Sequence, residues 1–406
     1  MKIALLSAYF HPEKTGIGVT ATDCGRFLEA LGHEVSVITA MPFFPGWKIY
    51  PQYKNKLGSR EALGSIKVYR NWLYVPATQT TMSRIAHELS FAFLSFLRVL
   101  TVPHDLLICV SPLFSSTFLA TFACLVRRKE MWILIKDLQP DTAIELGMLT
   151  NRLVIAVTRL MEKWIYFRCD KILVPSEGCL ARVLVKGVPR EKLAIVPDSI
   201  DVAEFAETVR PTPNGFRDEY NLVDKFLVVH SGALTEKHDL ETILGAAEIL
   251  REERDVFFAI VGQGTQEERL RDLISALELE NVKIYPLRER ELFAEMLHSA
   301  DVLVMSMRDE VIDVLLPSKL LCYLSTGTPV IAVAHPDSEA AKILARTRSG
   351  ILVAPSDIRT LADAVMEIRE NMGRYSKRAR SARAYMVEHF DHAVVLDRYY
   401  RPLFEQ

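Results

Sequence analysis

The stretch that decides the fold is DVLLPSKLLCYLSTGTPV, residues 313–330. Pro317 closes a tight loop, and Ser318 is predicted to be the N-cap of a short apolar helix that stops at Gly327 before a strand. The backbone N–H groups and the positive dipole end at such a helix start favour an anion, and Lys319 adds a cation there. The stretch therefore predicts a phosphate site, although an ordinary strand-to-helix turn with a solvated lysine explains it equally well.

Length and composition limit the class of protein. A chain of 406 residues is long for one core, so two domains are expected. Half of the residues are hydrophobic, a quarter are charged and the net charge is −2, which predicts a globular protein with no nucleic-acid partner. Six scattered cysteines without metal-ligand spacing predict buried thiols in a reducing cytoplasm and no metal site. The N-terminal apolar run lacks a cleavage site, and no run is long enough to span a membrane.

Short runs rich in Val, Ile and Leu recur along the chain, with helical segments between them. Continuous apolar runs are typical of parallel strands that are buried on both faces, and the alternation with helices favours doubly wound α/β domains. The runs cover residues 2–10, 34–39, 67–73, 105–110, 131–135, 171–175 and 193–196 in the first half, and 226–231, 256–261, 282–285, 302–306, 329–333 and 351–353 in the second.

The composition changes at residues 198–215, where prolines, a glycine and weak periodicity predict a linker. We therefore expect two Rossmann-like domains, 1–197 and 198–384, with a C-terminal helix over about 385–406 that packs back on the first. Ligands of doubly wound domains bind beyond the carboxyl ends of the strands, so the expected site is a cleft between two domains that face each other.

Two loops of the first half carry residues that suit a ligand. Gly16 and Gly18 lie between a strand and a helix, where bare backbone approaches a phosphate closely, although the turn alone also needs glycines. Their spacing lacks the third glycine of a nicotinamide site. Asp137 follows another strand, where a carboxylate binds substrate hydroxyls or stabilises developing positive charge.

The second half has similar loops. Gly232 permits close approach, and Lys237 is placed to reach a phosphate as a point charge, with a solvated loop lysine as the alternative. Gly262 and Gly264 follow the next strand and suit the same close approach. His230 lies within its strand between apolar residues and is interpreted as a buried core histidine. These glycines and lysines favour a bound nucleoside diphosphate, since no nucleophile elbow, catalytic triad or Walker sequence is found.

A membrane contact is predicted at residues 82–100, MSRIAHELSFAFLSFLRVL. The segment is expected to form one long helix with Phe91, Phe93 and Phe96 on it and arginines near both ends. Apolar-aromatic faces with basic flanks lie in bilayer interfaces. Residues 114–128 have the same character. Core helices that cover the sheet explain the first segment equally well and the second at least as well.

These loops together resemble those of the retaining glycosyltransferases of family 4, which have the two-domain GT-B fold, in the bacterial exopolysaccharide branch of the colanic-acid type. The resemblance covers nearly the whole chain. The segments that carry it are PEKTGIG (12–18), LGHEVSVIT (31–39), KDLQPDTAIELGML (136–149), VPSEG (174–178), VPDSIDVAEF (196–205), SGALTEKHDLETIL (231–244), VGQGTQEERL (261–270) and PSKLLCYLSTGTPVIA (317–332).

The resemblance implies a glycosyltransferase whose second domain binds a nucleoside-diphosphate sugar and whose first domain binds a glycan or lipid-linked acceptor. It implies no metal and no cofactor, and a cytoplasmic or peripheral location at the inner face of the plasma membrane. The implied catalytic residues are Asp137, Lys237 and Lys319. The implied donor-binding residues are Gly16, Gly18, Gly232, Lys237, Gly262, Gly264, Asp313, Pro317, Ser318, Lys319, Leu320 and Cys322.

The chain departs from the family pattern at the ribose of the donor. The glutamate with which the family binds the ribose falls on Cys322, and the partner acid of the same pattern falls on Val314, beside Asp313. A thiol is a much weaker acceptor than a carboxylate. A non-catalytic GT-B protein that binds a nucleotide sugar or a partner glycosyltransferase is therefore the alternative function.

Overall fold

The chain divides into two compact units. Unit 1 comprises Met1–Pro197 and Leu396–Gln406, and unit 2 comprises Asp198–Val395. The computed structural model describes residues 1–13, 16–44, 46–78, 80–111, 114–141, 144, 149–206, 215–309 and 317–405, without the side chains of Thr81, Arg290 and Glu291. Asp313 and the middle of the predicted linker, 207–214, lie outside the described residues.

Unit 1 is built on a sheet that has eight strands among the described residues. They are β1 (Lys2–Leu6), β2 (Glu34–Ala40), β3 (Gly58–Leu63), β4 (Ile66–Asn71), β5 (Leu106–Val110), β6 (Glu130–Leu134), β7 (Lys171–Val174) and β8 (Leu193–Ile195). The order is β3-β4-β2-β1-β5-β6-β7-β8, and neighbours pair in parallel except β3 with β4. The helices are α1 (Ile17–Ala30), α2 (Thr81–Thr101), α3 (Phe114–Arg127), α4 (Arg152–Arg168) and α5 (Glu177–Val185), and short 3-10 turns cover Pro51–Tyr53 and Arg190–Lys192.

Unit 2 is built on a second parallel sheet. Its described strands are β9 (Phe226–Ala233), β10 (Val256–Gln263), β11 (Val282–Tyr285), β12 (Val302–Ser306), β13 (Val330–Val333) and β14 (Gly350–Val353). Their order is β11-β10-β9-β12-β13-β14, the strand order of a dinucleotide-binding Rossmann domain. The helices are α6 (Gly215–Tyr220), α7 (Leu240–Ile249), α8 (Glu267–Ala276), α9 (Arg290–Ser299), α10 (Ser318–Thr326), α11 (Glu339–Thr347), α12 (Ile358–Glu370), α13 (Met372–His389) and α14 (His392–Val395), with a 3-10 turn at Val202–Phe205.

The strands of unit 2 are buried on both faces because successive side chains point to opposite sides of the sheet. In β9, Leu227 and Val229 join one apolar cluster and Val228 joins the cluster on the other side. Because both faces are buried, each of these strands appears in the sequence as a continuous apolar run. Every strand predicted from such a run is present, and the doubly wound fold is confirmed.

The end of the chain belongs to unit 1. Helix α13 packs in unit 2, where Met386 is fully buried, whereas the π-helical turn Leu396–Tyr400 and helix α15 (Arg401–Phe404) group with unit 1. The ring of Phe404 lies 5.1 Å from Trp132, and Tyr400 lies 5.5 Å from Phe27. The segment that returns to unit 1 thus starts at Leu396, later than the predicted residue 385.

The structure of helix α2 contradicts one part of the predicted membrane contact. The helix is present, but Phe91 is fully buried and packs in the core, and Phe96 is half-buried, while Phe93 is exposed. A lipid-facing role for Phe91 is therefore wrong, because its position falls on the helix stripe that faces the sheet. Within the described parts of the chain, no helix has the length and apolar character to cross a membrane.

Candidate functional site

In unit 2, the candidate site lies where β9 and β12 are neighbours in the sheet without being consecutive in the chain. Doubly wound sheets bind ligands at such a switch point, beyond the carboxyl ends of the strands. Helix α10 is held there by Tyr323, whose hydroxyl accepts the backbone N–H of Ser231 at 2.8 Å and donates to the Ser231 carbonyl oxygen at 3.2 Å. This fully buried tyrosine fixes the first turns of α10 beside the end of β9.

Lys319 points from the first turn of α10 onto His230. The ammonium nitrogen Nζ lies 3.2 Å from Nε2 of His230, and Nδ1 of His230 lies 3.0 Å from the carbonyl oxygen of Val304. A carbonyl oxygen only accepts, so Nδ1 carries the proton and Nε2 presents its lone pair to Lys319. His230 therefore orients the lysine, a role beyond that of the core histidine predicted from its apolar neighbours.

Gly232 makes room for the side chain of Lys319. A Cβ atom at position 232 would lie 2.8 Å from Cε and 3.1 Å from Nζ of Lys319. The glycine also has a φ of 133°, a conformation that other residues rarely adopt. The requirement for glycine here thus comes from the lysine and the backbone, in addition to any close approach of a ligand.

The surroundings of Lys319 favour the neutral forms of its side chain and of two nearby histidines. Burial lowers the pKa of Lys319 to about 7. Burial also holds the pKa of His230 well below its usual range, and the charges of Lys319 and His238 act in the same direction. The pKa of His238 falls to about 3 through burial and then through the charges of Lys319 and Lys237. A bound anion would offset all of these effects, because it stabilises nearby positive charge.

The start of α10 differs from the prediction in one respect. The helix begins at Ser318, and the N-cap position is Pro317, which makes no side-chain cap bond, so the predicted N-cap role of Ser318 is wrong. Ser318 is exposed, whereas Leu320 is fully buried in the core. Gly327 ends the helix with a φ of 74°, as predicted. The N–H of Leu320 donates to the carbonyl oxygen of Pro317 at 2.9 Å, and the N-cap offers no side chain to the N–H groups of Ser318 and Lys319.

Cys322, where the family pattern has its ribose acid, is half-buried and packs against one of the two apolar clusters of unit 2. Its position on α10 is one turn after Lys319. A ribose-binding role for the thiol stays a prediction.

Gly262 and Gly264 face protein backbone. A Cβ at Gly262 would lie 2.0 Å from the Gly232 carbonyl oxygen, and one at Gly264 would lie 2.2 Å from the Leu234 carbonyl oxygen. The two glycines allow β10 to pair with the end of β9, where Gly262 is opposite Gly232. Close packing of the strands accounts for both, and their predicted donor contact stays a prediction.

Lys237 and Asp137 follow strands as predicted, and both are half-buried. The carbonyl oxygen of Lys237 accepts the backbone N–H of Arg308 at 3.0 Å, which ties its loop to the segment after β12. In unit 1, Ser111 donates a 3.4 Å hydrogen bond to the carbonyl oxygen of Asp137 and joins the loops after β5 and β6. These bonds position both loops at the carboxyl ends of their sheets.

The loop between β1 and α1 contains a carboxylate that the sequence analysis did not single out. Glu13 is buried, and its Oε1 accepts the backbone N–H groups of Phe43 and Phe44 at 2.8 and 2.9 Å. Burial raises its pKa to about 6. Among the residues that the structure describes, its Oε2 has no hydrogen-bond partner. The glutamate in PEKTGIG could have been flagged by its position in a strand-to-helix loop.

Gly16 and Gly18 differ in what surrounds them. Gly16 has a φ of 56°, and a Cβ there would meet no atom of the described residues within 4 Å, so the backbone conformation is what requires the glycine. Gly18 is buried, and a Cβ there would lie 3.1 Å from Cβ of Glu13. In the part of the chain that the structure describes, the space beside Gly16 is open, whereas Glu13 fills the space beside Gly18. The described residues contain no group of acidic, histidine and cysteine side chains that could hold a metal ion.

Comparisons with known proteins agree with this architecture. The family model for glycosyl transferase 4-like domains matches residues 15–198, and that for glycosyl transferases group 1 matches residues 215–385. The Escherichia coli K12 protein named as the colanic acid biosynthesis glycosyl transferase WcaI is 29% identical over 377 residues, which make up 90% of this chain and 92% of that protein.

Solved structures are similar over the whole chain. Sucrose-phosphate synthase from Thermosynechococcus elongatus has a TM-score of 0.73 at 17% identity. The matched region covers 100% of this chain and 99% of that protein. HepE from Anabaena, in complex with UDP-glucose, has a TM-score of 0.73 at 15% identity, with 100% of each chain covered. At these identities the likeness establishes the fold.

Proposed function

The chain belongs to glycosyltransferase family 4 and has the GT-B fold, and from this premise we propose that it transfers a sugar from a nucleoside-diphosphate sugar to a lipid-linked or polysaccharide acceptor. The sugar keeps its anomeric configuration in the proposed reaction, and no metal takes part. The product belongs to cell-surface polysaccharide biosynthesis, in line with the name of the E. coli relative.

The observation that carries the proposal is the placement of Lys319 at the switch point of unit 2. Its ammonium nitrogen lies 3.2 Å from Nε2 of His230, at the start of a helix whose dipole also favours an anion. Gly232 leaves the space that this side chain occupies. A diphosphate is the ligand that these features fit, because it carries the negative charge that both the lysine and the helix start attract.

In the proposed mechanism the protein orients the reactants and stabilises charge. Lys319, Lys237 and the first-turn N–H groups of α10 bind the diphosphate, and they stabilise the negative charge that develops on it as the glycosidic bond to the donor breaks. The leaving diphosphate takes the proton of the acceptor hydroxyl on the face where the new bond forms. Asp137 binds hydroxyl groups or stabilises the positive charge that develops on the sugar.

Uridine diphosphate sugars are the first donors to test. HepE was solved with UDP-glucose, and this structural neighbour shares the two-unit fold. A lipid-linked acceptor would place the reaction at the inner face of the plasma membrane, with contact through residues 82–100.

The test measures donor binding by calorimetry and product formation from a panel of UDP-, GDP- and ADP-sugars. We expect Lys237→Ala and Lys319→Ala each to weaken binding at least about tenfold, the scale of one charge-assisted phosphate contact. Lys377→Ala is the matched control, since this lysine is exposed on α13. Turnover that neither Lys237→Ala nor Lys319→Ala changes would disprove the assignment of the diphosphate site.

Cys322 favours a second candidate, a GT-B protein that binds a nucleotide sugar or a partner glycosyltransferase without turnover. The thiol stands where the family pattern has the ribose acid, and it accepts hydrogen bonds weakly. Donor binding without product from any donor would support this candidate. Cys322→Glu should then tighten binding, because a carboxylate accepts both ribose hydroxyls.

A further inference from the structure

Helix α4 of unit 1 has an exposed apolar side that the sequence analysis did not identify. Leu153, Leu160 and Phe167 are 73%, 69% and 70% exposed, and Val154 and Val157 are exposed beside them. Residues 153, 157, 160 and 167 recur at helical spacing and form one stripe. Scattered apolar residues on a surface need no explanation, but a stripe along a whole helix does.

The stripe of α4 is part of a wider surface. The rings of Phe118 on α3 and Trp164 on α4 lie 4.9 Å apart, and those of Phe96 on α2 and Phe122 on α3 lie 6.3 Å apart, so the three helices pack side by side. Helix α2 exposes a stripe of its own, which includes Leu89. We call the exposed apolar side chains of α2, α3 and α4 the apolar face.

The charges on the helices of the apolar face are mostly positive. Helices α2, α3 and α4 contain seven basic and two acidic residues, in a chain whose net charge is −2. Neither acid belongs to the exposed surface. Glu162 of α4 is buried and pairs with Lys186 at 2.6 Å, and Glu88 of α2 is half-buried and accepts a 3.2 Å hydrogen bond from Ser115. On α4, all the exposed charges are positive: Arg152, Arg159, Lys163 and Arg168.

We propose that the apolar face docks unit 1 on an anionic lipid bilayer, with α4 as its main anchor and α2 and α3 beside it. Leu153, Leu160 and Phe167 enter the boundary between headgroups and acyl chains, and the basic residues of α4 bind lipid phosphates. The inference rests on the membrane location in the proposed function and moves the principal contact from residues 82–100 to helix α4.

The charges favour a bilayer over a second copy of the chain. A symmetric dimer through this face would bring the cations of α4 close to those of the partner copy, and such like-charge pairs weaken association. Apolar side chains with exposed cations on the same helix suit an anionic interface, where apolar burial and electrostatic attraction act together.

The test is co-sedimentation of the full chain with vesicles of phosphatidylcholine, with and without about a third of phosphatidylglycerol. We expect binding to the anionic vesicles that weakens as salt is added. The variant Leu153→Ser/Leu160→Ser/Phe167→Ser should abolish it. Its matched control is Val223→Ser/Ile249→Ser/Val387→Ser, which removes exposed apolar side chains from unit 2 and should bind as the wild type does.

The charges are tested separately with Arg152→Gln/Arg159→Gln/Lys163→Gln. Loss of three basic residues at the surface should lower the partition coefficient about a hundredfold. The control Arg359→Gln/Lys377→Gln/Arg380→Gln removes three exposed cations of unit 2 and should have little effect. These side chains are exposed, so the variants should fold, which circular dichroism checks.

Three outcomes would overturn the proposal: no wild-type binding to anionic vesicles, equal losses in the α4 and control variants, or a dimer in light scattering that the α4 variant dissociates. The last outcome would assign the apolar face to a second copy.

Donor binding by calorimetry is measured on the same variants without lipid. Intact donor binding with no vesicle binding defeats only the docking proposal, and the converse defeats only the proposed donor site.

Discussion

At the scale of single residues, Gly232 and Lys319 depend on each other. In Gly232→Ala, the new Cβ would lie 2.8 Å from Cε of Lys319, and the φ of 133° would be strained. We expect this variant to lower the free energy of unfolding by about 1–3 kcal/mol and to weaken donor binding, because Lys319 must move. Urea unfolding and donor titration measure the two effects.

The control for Gly232→Ala is Gly187→Ala, which also has a positive φ, 86°, but open space around the new Cβ. It should show the backbone penalty alone. Adding Lys319→Ala to Gly232→Ala should recover the steric part of the loss in stability. A double variant no more stable than expected from the two single variants would contradict the proposed contact.

The pKa of Lys319, about 7, predicts how donor affinity depends on pH. A bound diphosphate stabilises the ammonium form and raises this pKa, so the complex holds more protons than the free protein above about pH 7. Affinity for a nucleoside-diphosphate sugar should therefore fall by up to about tenfold per pH unit between about pH 7 and 8.5, and level off below about pH 7.

Calorimetry in buffers of different ionisation enthalpy measures this proton uptake directly. Lys319→Gln should bind the donor more weakly and show little dependence on pH over the same range. If this variant kept the slope of the wild type, another group would be the source of the proton linkage.

The sequence predicted Lys319 but not the group that orients it. The helix-start pattern and the lysine within it are local, so a single stretch contains them. His230 is 89 residues away and touches Lys319 only after β9 and β12 become neighbours. Glu13 was missed for a related reason, since its burial depends on the backbone at Phe43 and Phe44, on another loop.

At the scale of elements, helix α10 is fastened at its C-terminal end by Arg383 of α13. The guanidinium donates hydrogen bonds to the carbonyl oxygens of Phe205, Val202 and Ser325, the last of them in the final turn of α10. A cation at a helix C-terminus also interacts favourably with the helix dipole. Arg383 therefore ties the helix that carries Lys319 to α13 and to the 3-10 turn at Val202–Phe205.

We expect Arg383→Met to lower the free energy of unfolding of unit 2 by about 2–3 kcal/mol, since carbonyl oxygens lose charged donors while the apolar stem of the side chain is kept. Hydrogen exchange should accelerate in α10, and donor binding should weaken with it. Arg380→Met, at an exposed position of the same helix, is the control. Unchanged exchange in α10 would show that Arg383 does not fasten this helix.

Strand β3 is the element that the sequence did not predict. Its residues, GSREAL, contain no apolar run, because β3 is an edge strand that pairs antiparallel with β4 alone. It is held by Arg70 of β4, which is buried and bonds Glu61 at 2.9 Å. Apolar periodicity detects strands that are buried on both faces and gives no signal for one fixed by a polar pair.

At the scale of the whole molecule, no single segment of the sequence predicts the order of the strands or the path of the last residues of the chain. Both sheets place their first strands centrally, as doubly wound sheets do, and this was predictable as a class. The return of Leu396–Gln406 to unit 1 depends on aromatic contacts between residues far apart in the chain. The predicted start of that return, about residue 385, is earlier than Leu396 because α13 is itself helical and apolar on one side.

Aromatic contacts attach the end of the chain to unit 1. Tyr400 is buried and lies 5.5 Å from Phe27, and Phe404 lies 4.8 Å from His33 and 5.1 Å from Trp132. Removing residues 396–406 therefore takes aromatic surface from unit 1 and leaves both apolar clusters of unit 2 complete.

We expect Tyr400→Ala to lower the free energy of unfolding of unit 1 by about 3 kcal/mol and removal of 396–406 to lower it further, because a buried ring leaves a cavity. Calorimetric unfolding should show the transition of unit 1 at a lower temperature and that of unit 2 unchanged. Tyr399→Ala, the less buried neighbour, is the control. Donor affinity should survive truncation, since Lys319, His230 and Gly232 all belong to unit 2. Loss of donor binding with an unchanged transition of unit 1 would mean that the chain end serves the donor site and not the core of unit 1.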